Sequence, residues 1–144
     1  MNRNIKKIVN YYVKKFNTND PFEIADHLNI LYQIGNLKYE GCYMFLKNHR
    51  YIFLNQDLSP HEKKLVMAHE LGHAILHRKE NCYFIRNKTF LSTNRIEMEA
   101  NYFAAELLIS DQMIAENQCL TLQQLSRLLG YSEAILEMKV QRTL

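Results

Sequence analysis

Apolar positions recur along this chain with two different periods, and the change of period separates helical from extended stretches. Ile5, Ile8, Val9, Tyr12, Val13 and Phe16 repeat at three- and four-residue spacing, with Lys6, Lys7, Lys14 and Lys15 largely on the other side. That pattern predicts an amphipathic helix whose lysines face water. Asn19-Asp20-Pro21 supplies a cap and a proline suited to the first helical position, so a second helix is expected through Phe22, Ile24, Ala25 and Leu28. The period then shortens. Ile30 to Ile34, ended by Gly35, then Gly41 to Leu46 and Tyr51 to Leu54 read as strands. The last two are joined by Lys47-Asn48-His49-Arg50, a segment suited to a hairpin loop.

Ser59-Pro60-His61-Glu62 predicts a strong helix start: a serine cap, proline in the first turn, and a glutamate placed to complete a capping box. The helix should run through Leu65, Val66, Ala68, Leu71, Gly72, Ile75 and Leu76 to about His77. Residues 78–93 read as a loop with a short strand at Cys82 to Ile85. Ile96, Ala100, Phe103, Ala104, Leu107 and Leu108 mark another helix from Arg95 to Ile109. Short helices are expected at 111–117 and 121–129, and a last one from Ser132. The sum is a helix-rich α+β chain with a small sheet of about three strands and a helical tail. No internal repeat or linker-like stretch interrupts it.

Composition narrows the class. The 144 residues are 47% hydrophobic and 23% charged, enough to bury a core and too apolar for a disordered chain. The net charge of +3 permits nucleic-acid binding without implying it. Three cysteines at wide spacing, Cys42, Cys82 and Cys119, suit neither a disulfide framework nor a cysteine-based zinc ribbon. No apolar run approaches the roughly 20 residues that span a bilayer. The basic N-terminal stretch lacks an apolar signal core. A cytoplasmic protein with reduced thiols is expected.

The chemistry concentrates in His69-Glu70-Leu71-Gly72-His73, an H-E-x-x-H motif inside the capped helix. Residues four apart lie about one turn apart on one helix face, so two imidazoles can reach one metal ion. Glu70 then sits beside the ion, where it can hold the attacking water and move its proton. Zinc accepts two histidines and a carboxylate with one position left open. Gly72 costs roughly 1 kcal/mol in a helix interior, which calls for close approach of another element. The downstream helix offers Glu97, Glu99 and Glu106 as third ligands. Glu97 and Glu99 are about 200° apart around the axis, so only one can face the ion. Periodicity favours Glu99, beside the apolar stripe, over Glu97. Glu106 could orient a ligating histidine. His77 fits no metzincin pattern, because Leu76 and Lys79 stand where glycine and histidine are required, and it reads as a polar helix C-terminus.

HELGH followed by EMEANYFAAELLIS resembles the ImmA/IrrE family of metallopeptidases. The likeness extends upstream to DPFEIADHLNI and YIFLNQDLSPHEKKLVMAHELGHAILH, covering roughly residues 20–110. It implies a zincin-like fold, with His69, His73 and Glu99 as ligands of Zn2+ and Glu70 as the catalytic acid/base. It also implies a protein substrate, a DNA-binding repressor cut to release transcription in a mobile element or a stress response. Ser110 stands where the family usually has proline, and Asn101 where aspartate is common.

On this reading residues 1–118 form the metallopeptidase domain and 119–144 a tail packed on it. The tail has a helix–Gly130-Tyr131-Ser132–helix rhythm like a degenerate helix-turn-helix. Its second helix sets Glu133 and Glu137 against Lys139 and Arg142, so direct nucleic-acid binding is not expected. The rival reading is a non-catalytic regulatory protein that binds a repressor or DNA, with zinc structural or absent.

Overall fold

Side-chain caps set where most of the helices begin. In the computed structural model, which describes residues 4–84, 89 and 92–143, Asn4 accepts the Lys7 amide and opens helix α1, Ile5–Phe16. Asp20 accepts the Phe22 amide ahead of α2, Pro21–His27, with Pro21 in the first turn. Ser59 and Glu62 form the expected reciprocal box at the head of α3, Pro60–Leu76. Asn94 caps α4, Arg95–Leu108. Ser110 caps α5, Asp111–Glu116, so this departure from the family's proline starts a helix of its own. Thr121 and Gln124 form a second reciprocal box on α6, Leu122–Leu129, and α7 spans Glu133–Thr143.

Four strands form one sheet in the order β1-β3-β2-β4: β1 Leu31–Gly35, β2 Gly41–Leu46, β3 His49–Asn55 and β4 Cys82–Phe84. β1 runs parallel to β3, while β2 is antiparallel to both β3 and β4. The hairpin is tighter than expected. Lys47 and Asn48 both take positive φ, 48° and 65°, the geometry of a two-residue turn that matches strand twist. His49 and Arg50 therefore join the ladder, opposite Leu46 and Phe45. The fourth strand is the short one expected near Cys82; Ile85, its anticipated end, lies outside the described residues.

Helix α3 lies between the sheet and α4, and α4 in turn packs against α1 and α7. Ile52, Leu54 and Tyr43 from the sheet, Met67 and Leu71 from α3, and Phe103 and Ala104 from α4 are all buried in one core. Arg50 ties the layers together by donating to the carbonyls of Ala74 (3.2 Å) and Leu28 (3.1 Å). The three cysteines are free, as their spacing suggested. No helix among the described residues is long and apolar enough to cross a membrane.

The tail joins the same core through Leu125, Tyr131, Ile135 and Leu136. Its turn is held from outside: His61 Nε2 lies 3.0 Å from the Gly130 carbonyl, and the His61 ring packs on Tyr131. Sequence reasoning gave His61 no such role. Helix α7 buries Ile135, Leu136 and Lys139 against the core and leaves the acidic Glu133 and Glu137, with Gln141, exposed. The Arg142 side chain lies outside the described residues. Lys139 is buried and donates to Glu106 (2.9 Å) and Asp111 (2.6 Å), with Lys6 on the other Asp111 oxygen at 2.7 Å. Glu106 thus anchors the tail and does not orient a histidine.

Two stability predictions arise here. A methyl added at Gly72 would lie 3.1 Å from Phe103 Cβ and 3.3 Å from Ala100 Cα, both fixed in α4. Gly72→Ala gains helix propensity but forces the helices apart, for a net loss on the order of 1 kcal/mol, read as a lower urea midpoint. Hydrogen bonds from Lys139 and then Lys6 hold Asp111 at about 2, below its ordinary 3.8. A depressed carboxyl pKa contributes stability above the ordinary value and loses it as pH falls through the folded one. Asp111→Asn should therefore be less stable than the parent near pH 6, with the gap closing as urea titrations move below about pH 4.

Candidate metal centre

His69 and His73 occupy one face of α3, and both are buried. Their Nε2 atoms lie 3.1 Å apart. The Glu97 carboxylate, from the first turn of α4, meets them with one oxygen 2.7 Å from His73 Nε2 and the other 3.3 Å from His69 Nε2. The edge of Phe84 on β4 packs against the His69 ring at 4.9 Å between centroids. Side chains from a helix, a second helix and a strand therefore meet at one point. In a tetrahedral site with ligand distances near 2.0–2.1 Å, ligand atoms are about 3.3 Å apart. The two imidazole nitrogens and one carboxylate fit such an ion in both spacing and donor type.

Glu70 is fully buried, and neither of its carboxylate oxygens has a hydrogen-bond partner among the described residues. Burial, and next to it the charge of Glu97, pushes its carboxyl well above the ordinary range. Buried carboxylates without partners are costly, so a bound cation or water fits this place. Burial would likewise raise Glu97, but the imidazoles of His69 and His73 outweigh it and hold the carboxyl at about 2. His73 is lowered as well, here by burial itself and against the pull of Glu97. The shift favours the neutral imidazole that can ligate a metal.

Of the four residues singled out from the sequence, the structure brings His69, Glu70 and His73 together and leaves Glu99 out. Glu99 Oε1 lies 2.8 Å from His77 Nε2, one turn further along α3. Glu97 stands in the expected place of Glu99. Helical geometry accounts for the change. The centre of the Ala100, Phe103, Ala104 and Leu107 stripe is about 70° from Glu97 and about 90° from Glu99. Closest approach of the helices at Gly72 and Ala100 then decides. Glu97, one turn before Ala100, falls between the two histidines that bracket Gly72, while Glu99 falls to the flank. The angular signal was present in the sequence but small. His77 is the residue that sequence reasoning missed. It does cap the C-terminus of α3, but its ring is buried between His73 and Glu99 and does not serve as an exposed polar end. Asn101, where the family often has aspartate, donates its buried amide to the Thr89 carbonyl at 2.9 Å.

Residues 26–141 match the IrrE N-terminal-like domain of peptidase family M78. The chain belongs to the ImmA/IrrE family. It is 40% identical over 114 residues to the uncharacterized immunity region protein 2 of Bacillus phage phi105, covering 78% of this chain and 72% of that one. It is 31% identical over 117 residues to the metallopeptidase ImmA of Bacillus subtilis strain 168, covering 79% of this chain and 68% of ImmA. The match to the family includes the tail helices α6 and most of α7, which in this ImmA/IrrE chain share the core of the metal-helix layer.

Proposed function

We propose that this chain is a zinc-dependent endopeptidase that makes a specific cut in a protein substrate, a transcriptional repressor of a mobile element or stress response. The observation that carries the reading is the convergence of two imidazole Nε2 atoms and the Glu97 carboxylate beside a buried Glu70. His69, His73 and Glu97 hold the ion, and Glu70 is the acid/base. When bound, zinc supplies Lewis acidity, polarising a carbonyl and bringing the pKa of a water toward neutrality. Glu70 accepts the proton of the attacking water at a carboxylate oxygen and delivers it to the departing amine. Its buried surroundings suit the task, because a carboxylate that resists ionisation is a stronger base. Neutral His73 keeps a lone pair directed at the ion. Three unpaired thiols suit action in the reducing cytoplasm.

The repressor is supported by the family resemblance and by the phage immunity-region relative. The test is to incubate untagged, zinc-loaded protein with candidate DNA-binding repressors from the same genome and to map products by mass spectrometry. One defined cut that a chelator abolishes is the expected result. A protein that takes up no stoichiometric zinc, or that silences the repressor without cutting it, would replace this reading with the non-catalytic regulator.

A further inference from the structure

We propose that His77 and Glu99 form a relay that fixes the tautomer and ring orientation of His73, and so tune how tightly the centre holds its ion. The proposal rests on the metal-binding reading above and extends it to two residues outside the ligand set.

The argument is one of donors and acceptors. His73 Nδ1 lies 3.1 Å from His77 Nδ1, and His77 Nε2 lies 2.8 Å from Glu99 Oε1. Two ring nitrogens can share a hydrogen bond only if one carries a proton and the other does not. For His73 to ligate through Nε2, its proton must sit on Nδ1. That proton is donated to His77 Nδ1, which must then be the acceptor. The proton of neutral His77 is left on Nε2, where it faces a carboxylate oxygen. Each link has a donor at one end and an acceptor at the other. The reverse arrangement sets a lone pair of His77 against the Glu99 carboxylate, or requires a second proton on a buried ring. Glu99 therefore selects the His73 tautomer from two residues away in the network.

The surroundings hold the relay in place. His77 and Glu99 are 8% and 2% exposed. The His77 backbone amide donates to the His73 carbonyl at 2.7 Å, which sets its ring one turn below. Arg95 Nε stands 3.8 Å from the second Glu99 oxygen. Partners that orient a ligating histidine in this way typically alter metal affinity by about 10–100-fold when removed. His77 and Glu99 are positioning residues, acting on the ion only through His73.

The experiment measures zinc Kd on the full chain by competition with a chromogenic chelator, together with the visible spectrum of the Co2+-loaded protein. His77→Phe keeps the ring and removes both hydrogen bonds. It should weaken zinc binding by about 10–100-fold and alter the Co2+ spectrum. His77→Asn puts an amide oxygen near the place of Nδ1 and should recover most of the loss. His77→Gln reaches only the place of Nε2 and should not. The double variant His77→Phe/Glu99→Gln should be no weaker than His77→Phe alone, because the pair acts as one unit. The apo urea midpoint of each variant is read alongside. A pair with a merely structural role would shift that midpoint and leave Kd and the Co2+ spectrum unchanged, which would overturn the proposal. If His77→Phe does not fold, His77→Gln and Glu99→Gln take its place: both should weaken zinc binding, and an unchanged Kd in both would overturn the proposal. A wild-type chain that binds no zinc defeats the metal-centre reading and the relay together. A wild type that binds zinc with unchanged variants defeats the relay alone.

Discussion

Replacing Glu70 by glutamine should lower the rate of substrate cleavage by about 10²–10⁴-fold, the range expected when a general acid/base is removed. The same variant should keep its zinc. The substitution is nearly isosteric, and Glu70 is not among the three residues whose ligand atoms converge. Stability should hold or rise. Glu70 is fully buried with neither oxygen hydrogen-bonded among the described residues, and the Glu97 charge adds to the cost of ionising it. A neutral amide avoids that cost. Kinetics, metal content and a urea titration on one preparation therefore separate the chemical role from the structural one. Undiminished cleavage by Glu70→Gln would remove Glu70 from the mechanism. Loss of zinc would make it a ligand.

Glu97→Ala should lower bound zinc from about one ion per chain to below about 0.1, as removal of one of three protein ligands implies. Glu99→Ala should remain loadable at saturating zinc, with weaker affinity, since Glu99 reaches the centre only through His77 and His73. Metal content by mass spectrometry on untagged protein, at limiting and at saturating zinc, distinguishes the two. The opposite result, zinc lost from Glu99→Ala and kept by Glu97→Ala, would restore the assignment that the family resemblance alone implies. The contrast is sharp because the two glutamates share a turn of one helix and differ only in which side of the α3 contact they occupy.

Much of the chain was legible without coordinates wherever the determinant is local. The caps at Asp20 and Ser59 were readable because each is satisfied within three residues of itself. The strand at Gly41–Leu46 followed from side-chain alternation, and the close approach at Gly72 from the cost of a mid-helix glycine. The aromatic stretch 43–53 forms the interior of the sheet, with β1 and β4 at its edges. Strand order depends on which segments return to the sheet. The three-residue β4, coming after the long α3, carries too little pattern to show that it does.

The H-E-x-x-H spacing, set in a helix with a defined start, was enough by itself to specify that two imidazoles share a face, because four residues make about one turn whatever surrounds them. Only the tertiary structure decided which downstream glutamate meets them. That choice turns on the rotation and translation of α4 against α3, set where Gly72 lets Ala100 and Phe103 approach. It also decided that His77 and Glu99 are partners and that Glu106 belongs to Lys139. Contacts between residues distant in the chain arise from packing two surfaces at once, and no single helix period contains that information.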